Sequence, residues 1–215
     1  MGKDNQSPWF REALEVENKL VINQLNSRET ADICIVGGGY TGLWTALKIK
    51  EKNPSTNIII IEKDLCGSGA SGRNGGCMIP LSSKFPAMKK IVGIKDAIKM
   101  VKASEEALNA IKQFCKINNL DAQIRINGIV YSATNNKHRG GFDNLLRDLN
   151  ENNINSWERL SKEKIQKLTG SNRNIDGYFS PIGGSLQPAL LARGLKKIAE
   201  KKGIKIFERS AMSSY

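Results

Sequence analysis

Residues 32–62 read DICIVGGGYTGLWTALKIKEKNPSTNIIIIE, and this stretch decides the fold. An apolar run is followed by glycines at Gly37, Gly39 and Gly42, and twenty residues later by an acid, Glu62. A strand, a glycine turn, a helix, a second strand and a terminal acid are the parts of a dinucleotide-binding βαβ unit. The alternative is a glycine-rich turn in an unrelated α/β protein. The order and spacing of all five parts favour the dinucleotide site.

The residue pattern assigns a secondary structure to each part. Residues 32–36 are short and rich in Ile and Val, which predicts a buried parallel strand. Helical spacing of apolar residues begins at Thr41, and the pair Asn53 and Pro54 ends that helix. Residues 56–61 are the second strand of the unit.

Each glycine has a steric role in such a unit. Gly37 permits the tight turn out of the strand, Gly39 lets the backbone approach a pyrophosphate, and Gly42 lets the helix pack closely on the sheet. The helix N-terminus offers unpaired N–H groups to the phosphates, and the acid accepts hydrogen bonds from a ribose. The candidate contacts in this unit are Gly37, Gly39, Tyr40, Thr41, Gly42, Glu62 and Lys63.

A second glycine-rich segment, GSGASGRNGG at residues 67–76, indicates which dinucleotide is bound. This segment resembles the loop of the FAD-dependent oxidoreductases of the D-amino-acid oxidase type, and most closely the gamma-glutamylputrescine oxidase-like branch. In that family the loop follows the ribose acid and runs along the flavin, so the resemblance implies FAD as the cofactor. The residues that it assigns to the cofactor are Ser71, Gly72, Arg73, Asn74, Gly75 and Gly76. A flexible Gly/Ser linker is the alternative interpretation.

The resemblance covers nearly the whole chain. Residues 7–10 are similar to the leader of these enzymes, and residues 128–133 to a strand that follows a long helix. Residues 183–189 and 203–206 resemble the segment that returns to the FAD-binding domain. A backbone group just after the returning strand touches the adenine in that family, and Met212 is the matching position.

The fold class expected from these features is α/β, with a Rossmann-like FAD-binding βαβ domain and the start of a mixed α+β substrate domain. The predicted divisions are a polar leader at 1–30, FAD-binding segments at 31–85 and 180–215, and a partial substrate or cap domain at 86–179.

Periodicity predicts the remaining elements. Helices are expected at 94–118, 142–149, 161–168 with Ser161 as the N-cap, and 188–202. One or two strands bent at Gly128 are expected within 123–134, a loop or edge strand at 178–186, and a last strand at 204–208.

Bulk properties exclude several other classes. The formal net charge is +12, but no nucleic-acid motif accompanies it, so the lysines are expected on solvated helix faces. The four cysteines lack metal-ligand spacing. Cys34 and Cys115 are expected in the core, and Cys66 and Cys77 as partly exposed, incidental loop thiols. His138 is expected in a loop. No signal peptide or membrane-length apolar run is present, which favours the cytoplasm.

The reaction that the resemblance implies is oxidation of a small-molecule amine or amino acid at its C–N bond, with hydride transfer to flavin. Family enzymes are longer than these 215 residues, so the chain is expected to be an N-terminal portion that lacks a C-terminal half. No catalytic acid or base is assigned. Two alternatives stay open: a NAD(P)-dependent Rossmann dehydrogenase, and a non-catalytic fragment that binds FAD or a partner.

Overall fold

The computed structural model describes residues 6–17 and 20–214, and the chain divides into two compact units. The first unit comprises Met1–Gly76, Cys115–Gln123 and Leu186–Tyr215. The second comprises Cys77–Phe114 and Ile124–Ser185. The first unit is therefore assembled from three separate segments of the chain.

Seven α-helices and eight strands lie within the described residues. In chain order they are α1 (Pro8–Val16), β1 (Ile33–Val36), α2 (Tyr40–Lys52), β2 (Ile58–Ile61), β3 (Cys77–Met78), α3 (Phe85–Val92), α4 (Ile94–Ile117), β4 (Ile129–Ala133), α5 (Asp143–Glu151), β5 (Glu158–Leu160), α6 (Lys162–Thr169), β6 (Asp176–Ser180), β7 (Gly184–Ser185), α7 (Pro188–Lys201) and β8 (Lys205–Phe207). The sequence correctly predicted the α2, α4 and α7 helices to within two residues at each end.

The first unit contains a parallel sheet of three strands in the order β1-β2-β8. Ile60 of the central strand pairs with Ile35 on one side and Ile206 on the other, and its side chain is fully buried. The helices α2 and α7 pack against the sheet and against each other. Parallel strands joined by a crossover helix confirm the predicted βαβ unit.

The prediction that β1 is a buried strand was wrong for half of its residues. Cys34 is exposed, and Val36 keeps 54% of its surface, while Ile33 and Ile35 are half-buried. Within the described residues β1 pairs only with β2, so it is an edge strand. Because successive side chains point to opposite faces, only the face towards α2 is covered. Cys34 is therefore not a core residue.

The segment predicted as a polar leader contains a capped helix. Ser7 is the N-cap of α1, and its Oγ accepts a hydrogen bond from the amide of Phe10 at 3.1 Å. Phe10 is buried against Leu65, Ala189 and Leu190. Of the leader positions, residues 1–5, 18 and 19 lie outside the described residues.

The second unit contains an antiparallel sheet in the order β4-β6-β5. Residues 178–180 were predicted as a loop or edge strand, but they belong to β6, the central strand. The prediction failed because Tyr178 pairs with neighbours on both sides, at Tyr131 and Arg159. Nothing in the local sequence signals the second pairing.

Aromatic rings form much of the core of the second unit. The rings of Tyr131 and Phe142 stack with centroids 4.7 Å apart, and the buried Trp157 lies beside them. The Trp157 indole donates to the Oγ of Ser82 at 2.9 Å, so neither buried polar group is left unpaired. The helix α3, which contributes Phe85 to this core, was not predicted.

A polar network lies at the edge of this core. Arg159 donates to both oxygens of Asp143 and of Asp176, at 3.0–3.2 Å. The Tyr178 hydroxyl donates to Oδ1 of Asp143 at 2.6 Å. Burial and the hydrogen bond to Asp143 raise the pKa of Tyr178 to about 12. The network fixes the ends of α5, β5 and β6 relative to one another.

Residues 6–17 and 20–214 contain neither a membrane-length apolar helix nor a cluster of metal-ligating side chains. None of the helices there combines the length and the hydropathy that a membrane span needs. No three His, Cys, Asp or Glu side chains in those residues come close enough together to hold a metal ion.

Candidate dinucleotide site

The glycine turn lies at the carboxyl end of β1. Gly37 has a φ of +106°, a conformation that residues with a Cβ rarely adopt, and its amide donates to the carbonyl of Ile61 at 2.8 Å. A Cβ added to Gly42 would meet the carbonyl oxygen of Gly37 at 2.1 Å. These two glycines are therefore required by the backbone, as the sequence predicted.

Glu62 joins the ends of the first two strands. Its Oε2 accepts from the amide of Gly38 at 2.7 Å, and its Oε1 accepts from the amide of Asp64 at 2.9 Å. A carboxylate has about four acceptor positions, so two amides leave capacity for hydroxyl donors. The predicted ribose acid thus lies beside the predicted phosphate turn.

The N-terminus of α2 opens from this turn, with Gly39 as its N-cap. The amide of Tyr40 donates to the Oγ of Ser71 at 2.9 Å. In the described part of the chain the amides of Thr41 and Gly42 have no backbone acceptor. Unpaired amides at a helix N-terminus, together with the helix dipole, favour an anion such as a phosphate.

The side chain of Tyr40 has a different role from its backbone. Its hydroxyl donates to the carbonyl of Pro188 at 2.7 Å, which links the start of α2 to the start of α7. Burial raises the pKa of this hydroxyl above the ordinary value of tyrosine. Tyr40 therefore anchors the start of α2 twice, through its hydroxyl to Pro188 and through its backbone amide to Ser71.

The loop at residues 67–76 is held in a defined shape by its own hydrogen bonds. Nε of Arg73 donates to the carbonyl of Ser68 at 2.7 Å. The side chain of Asn74 donates through Nδ2 to the carbonyl of Ser71 at 2.9 Å, and its Oδ1 accepts from the backbone amide of Gly76 at 2.8 Å. Residues 70–72 form a turn of 3₁₀-helix. These bonds argue against the flexible linker.

Close packing explains two of the glycines in this loop. A Cβ on Gly72 would meet the carbonyl oxygen of Gly67 at 2.3 Å, and one on Gly76 would meet that of Leu186 at 2.0 Å. Gly75 lies between Asn74 and Gly76 and completes the predicted set in this loop.

The last two predicted contacts lie on the chain beyond the carboxyl end of β2 and on the chain that follows β8. Lys63 is exposed and lines a cavity of about 600 Å³ together with Gln6, Asp64, Leu65 and Arg209. The chain after β8 reaches this region, because the Ser210 amide donates to the carbonyl of Glu62 at 2.9 Å. Met212 follows two residues later and is 47% exposed.

Sequence reasoning missed two residues of this site. Gly38 was not singled out, yet its amide binds Glu62, and a Cβ on it would meet the Sγ of Cys66 at 2.3 Å. Cys66 was expected as a partly exposed thiol, but it is fully buried against that glycine. Burial raises the pKa of the Cys66 thiol, and the nearby Glu208 carboxylate raises it further. The run of three glycines at 37–39 was the available signal for Gly38.

Comparison with known proteins identifies the family. The family model described as "DAO: FAD dependent oxidoreductase" matches residues 32–215. The chain belongs to this FAD dependent oxidoreductase family. FAD is accordingly the cofactor, in preference to the nicotinamide dinucleotide of the dehydrogenase alternative.

Individual relatives of this oxidoreductase are longer than the chain itself. Gamma-glutamylputrescine oxidoreductase of Escherichia coli (strain K12) is 28% identical over 193 residues, which are 89% of this chain and 45% of the relative. The probable oxidoreductase OrdL of Haemophilus influenzae is 29% identical over 191 residues, 86% of this chain and 43% of the relative. The chain therefore spans less than half the length of these curated relatives.

Solved structures share the fold of this FAD dependent oxidoreductase. L-amino acid deaminase from Proteus vulgaris superposes with a TM-score of 0.70 at 18% identity, covering 89% of this chain and 43% of the other. Glycine oxidase from Geobacillus kaustophilus gives 0.63 at 19% identity, covering 83% and 46%. At these identities the likeness establishes the fold alone.

The residues present fit the ADP part of FAD. A Cβ added at Gly37 or Gly69 would meet no atom within 4 Å, so open space adjoins the backbone at both glycines. Glu62 has acceptor capacity for ribose hydroxyls, and the amides of Thr41 and Gly42 are available to a pyrophosphate. Donors for phosphate and acceptors for ribose are thus arranged around the same turn.

Proposed function

We propose that this chain is the N-terminal, FAD-binding portion of an oxidoreductase that oxidises a small-molecule amine or amino acid at its C–N bond. The observation that carries the proposal is the hydrogen-bonded set of the glycine turn, Glu62 and Ser71, joined to a loop of the family type. The first compact unit would bind FAD, and the second would be part of the substrate domain.

The chain's own residues would hold FAD in four ways. Amides of the turn and of the α2 N-terminus would bind the pyrophosphate, Glu62 and Lys63 the ribose region, the loop the flavin, and the backbone at Met212 the adenine. The full proposed set is Gly37, Gly39, Tyr40, Thr41, Gly42, Glu62, Lys63, Ser71, Gly72, Arg73, Asn74, Gly75, Gly76 and Met212. FAD, when bound, supplies the acceptor for a hydride from the carbon that bears the nitrogen.

Retention of FAD tests the first part of this proposal. The purified chain is incubated with FAD, desalted, and examined by visible absorbance. We expect flavin bands at a ratio near one to one. Gly42→Val is the matched negative variant, because its side chain would collide with the carbonyl of Gly37. A soluble, folded wild-type chain that retains no flavin would overturn the proposed site.

A second candidate is a chain that binds FAD or a partner without turnover. The specific observation in its favour is that the chain covers only 45% of the E. coli relative. The partner would be a C-terminal half that completes the substrate site. An amine screen that follows flavin reduction anaerobically separates the two: bleaching by an amine supports the enzyme, and retained flavin without bleaching supports the second candidate.

Location in the cytoplasm is part of the same proposal. Cys34 is exposed and carries a free thiol. Exposed free thiols are more common in a reducing compartment. Fractionation of cells that produce the tagged protein, followed by immunoblotting, tests this location.

A further inference from the structure

A buried ion cluster lies behind the candidate FAD site, within the first unit. Arg193 of α7 is 2% exposed, and its side chain donates to both oxygens of Glu17, at 2.7 and 2.9 Å. Its Nη1 donates to Oε1 of Glu208 at 2.6 Å. Both carboxylates are almost completely buried. Glu17 directly follows α1, Arg193 lies within α7 and Glu208 directly follows β8, so the cluster joins the first and the last chain segments of the unit.

The cluster also binds the backbone at the start of the glycine-rich loop. Oε1 of Glu208 accepts from the amide of Cys66 at 2.7 Å. Nη1 of Arg193 donates to the carbonyl of Cys66 at 3.2 Å. Both polar backbone groups of Cys66 are therefore held by buried charges, and hydrogen bonds to charged groups are the stronger kind.

Cys66 in turn packs closely against Gly38, the middle glycine of the turn. Its Sγ lies only 2.3 Å from the position that a Cβ on Gly38 would take, so no larger residue fits there without a shift. The amide of the next residue, Gly67, donates to the carbonyl of Gly38 at 3.0 Å. The position of the Cys66–Gly67 peptide thus fixes the position of Gly38.

A purely stabilising role is a weak explanation for this cluster. Burying charges costs free energy that their attraction often fails to recover, and apolar side chains can replace such clusters without loss. Oε2 of Glu208 has no hydrogen-bond partner within the described residues, and Lys196 approaches it only to 3.6 Å. An arrangement that leaves this buried oxygen with a long ion pair and no hydrogen bond points to a requirement at the other oxygen, which binds Cys66.

We propose that Glu208, with Arg193 as its counter-charge, is a positioning residue of the FAD site. It holds the Cys66–Gly67 peptide against Gly38 and so fixes the glycine turn that faces the pyrophosphate. The inference rests on the proposed function for the identity of the ligand. The structural link from Glu208 through Cys66 to Gly38 is independent of the proposed function.

Three variants separate positioning from stability. Glu208→Leu removes the acceptor of the Cys66 amide, and Glu208→Gln keeps an oxygen that can accept it. Glu17→Leu is the matched control, since it removes a buried carboxylate from the same guanidinium but touches neither backbone group of Cys66. Urea unfolding identifies the conditions in which all three variants are folded.

The first readout needs no flavin. The rate of alkylation of Cys66 is followed by peptide mass spectrometry, with the buried Cys115 as an internal reference for global unfolding. In Glu208→Leu we expect Cys66 to react about tenfold faster or more, while Cys115 is unchanged. Glu208→Gln restores protection, and Glu17→Leu changes both cysteines by the same factor. Equal protection of Cys66 in Glu208→Leu and wild type would overturn the proposal.

The second readout is the dissociation constant of FAD from fluorescence quenching. We expect Glu208→Leu to weaken FAD binding by about tenfold, and Glu17→Leu to stay within about threefold of wild type. Equal weakening by both variants would overturn the positioning role. Absence of binding in the wild type would instead overturn the proposed function, and the labelling of Cys66 would still decide the link to Gly38.

Discussion

Oε2 of Glu62 lies 2.7 Å from the amide nitrogen of Gly38, so the acid that ends the second strand is bonded directly to the turn that ends the first. The carboxyl ends of β1 and β2 are therefore joined by a hydrogen bond that needs no ligand. A change at either residue will affect both the shape of the turn and the groups offered to FAD.

Glu62→Gln tests the carboxylate itself. An amide can accept only through its oxygen, so its nitrogen would face either the amide of Gly38 or that of Asp64. We expect FAD binding to weaken by about 10- to 100-fold, since hydrogen bonds to charged groups contribute about 1.5–3 kcal/mol. Fluorescence quenching of FAD measures this change.

The control for Glu62→Gln is Glu51→Gln, on the exposed surface of α2. It makes the same chemical change away from the turn, and we expect FAD affinity to equal that of wild type. Unchanged affinity in Glu62→Gln would show that Glu62 does not bind the ribose.

Gly38→Ala tests the contact with Cys66. The added Cβ would meet Sγ at 2.3 Å, and overpacking of this kind costs about 1–3 kcal/mol. We expect FAD binding to weaken by about tenfold in Gly38→Ala, and to recover partly in the double variant Gly38→Ala/Cys66→Ala. The single variant Cys66→Ala completes the cycle. Additive effects of the two substitutions would contradict the contact.

The sequence predicted those parts of the candidate site that depend on residues close together in the chain. Gly37 and Gly42 are required by a positive φ and by a close backbone approach, and both requirements leave glycine in the sequence. Glu62 was identifiable because the length of a crossover helix fixes the interval from the turn to the end of the next strand. Local rules therefore identified the turn, the helix and the acid.

The parts that were missed depend on residues far apart in the chain. Cys66 is buried because it meets Gly38, and Glu208 is 142 residues from the amide that it binds. The exposure of Cys34 depends on how many strands join β1, which its own residues do not determine. Such long-range pairings carry no signal in a single sequence.

Asp176→Asn tests the polar network of the second unit and has a defined pH dependence. Burial alone would raise the pKa of Asp176, but hydrogen bonds from Arg159 and from the amides of Gly140 and Gly177 lower it below its ordinary value. A carboxyl whose pKa is lower in the folded state stabilises the fold above its unfolded pKa of about 3.9. That contribution is lost as the pH falls through the folded-state value.

At pH 7 we therefore expect Asp176→Asn to lower the free energy of unfolding by about 1–3 kcal/mol. The difference from wild type should shrink as the pH falls from about 3.9, where the carboxyl of the unfolded chain becomes protonated, through the lower pKa of the folded state. Urea unfolding followed by tryptophan fluorescence measures both, since Trp157 is buried in this unit. A difference that is constant from pH 7 to pH 3 would contradict the ionised role of Asp176.

The parallel sheet is buried unevenly, because its edge strand β1 is partly exposed and its central strand β2 is covered. Val36 keeps 54% of its surface, whereas Ile60 of the neighbouring strand is completely buried. Val36→Thr should change the free energy of unfolding by no more than about 0.5 kcal/mol, because the added hydroxyl stays in water. Ile60→Thr should cost at least about 2 kcal/mol, because it loses buried apolar atoms and buries a hydroxyl. Both are measured by urea unfolding at several protein concentrations. A cost above about 1 kcal/mol for Val36→Thr would mean that this face is covered in solution, and a cost that grows with protein concentration would identify a second copy of the chain as the cover.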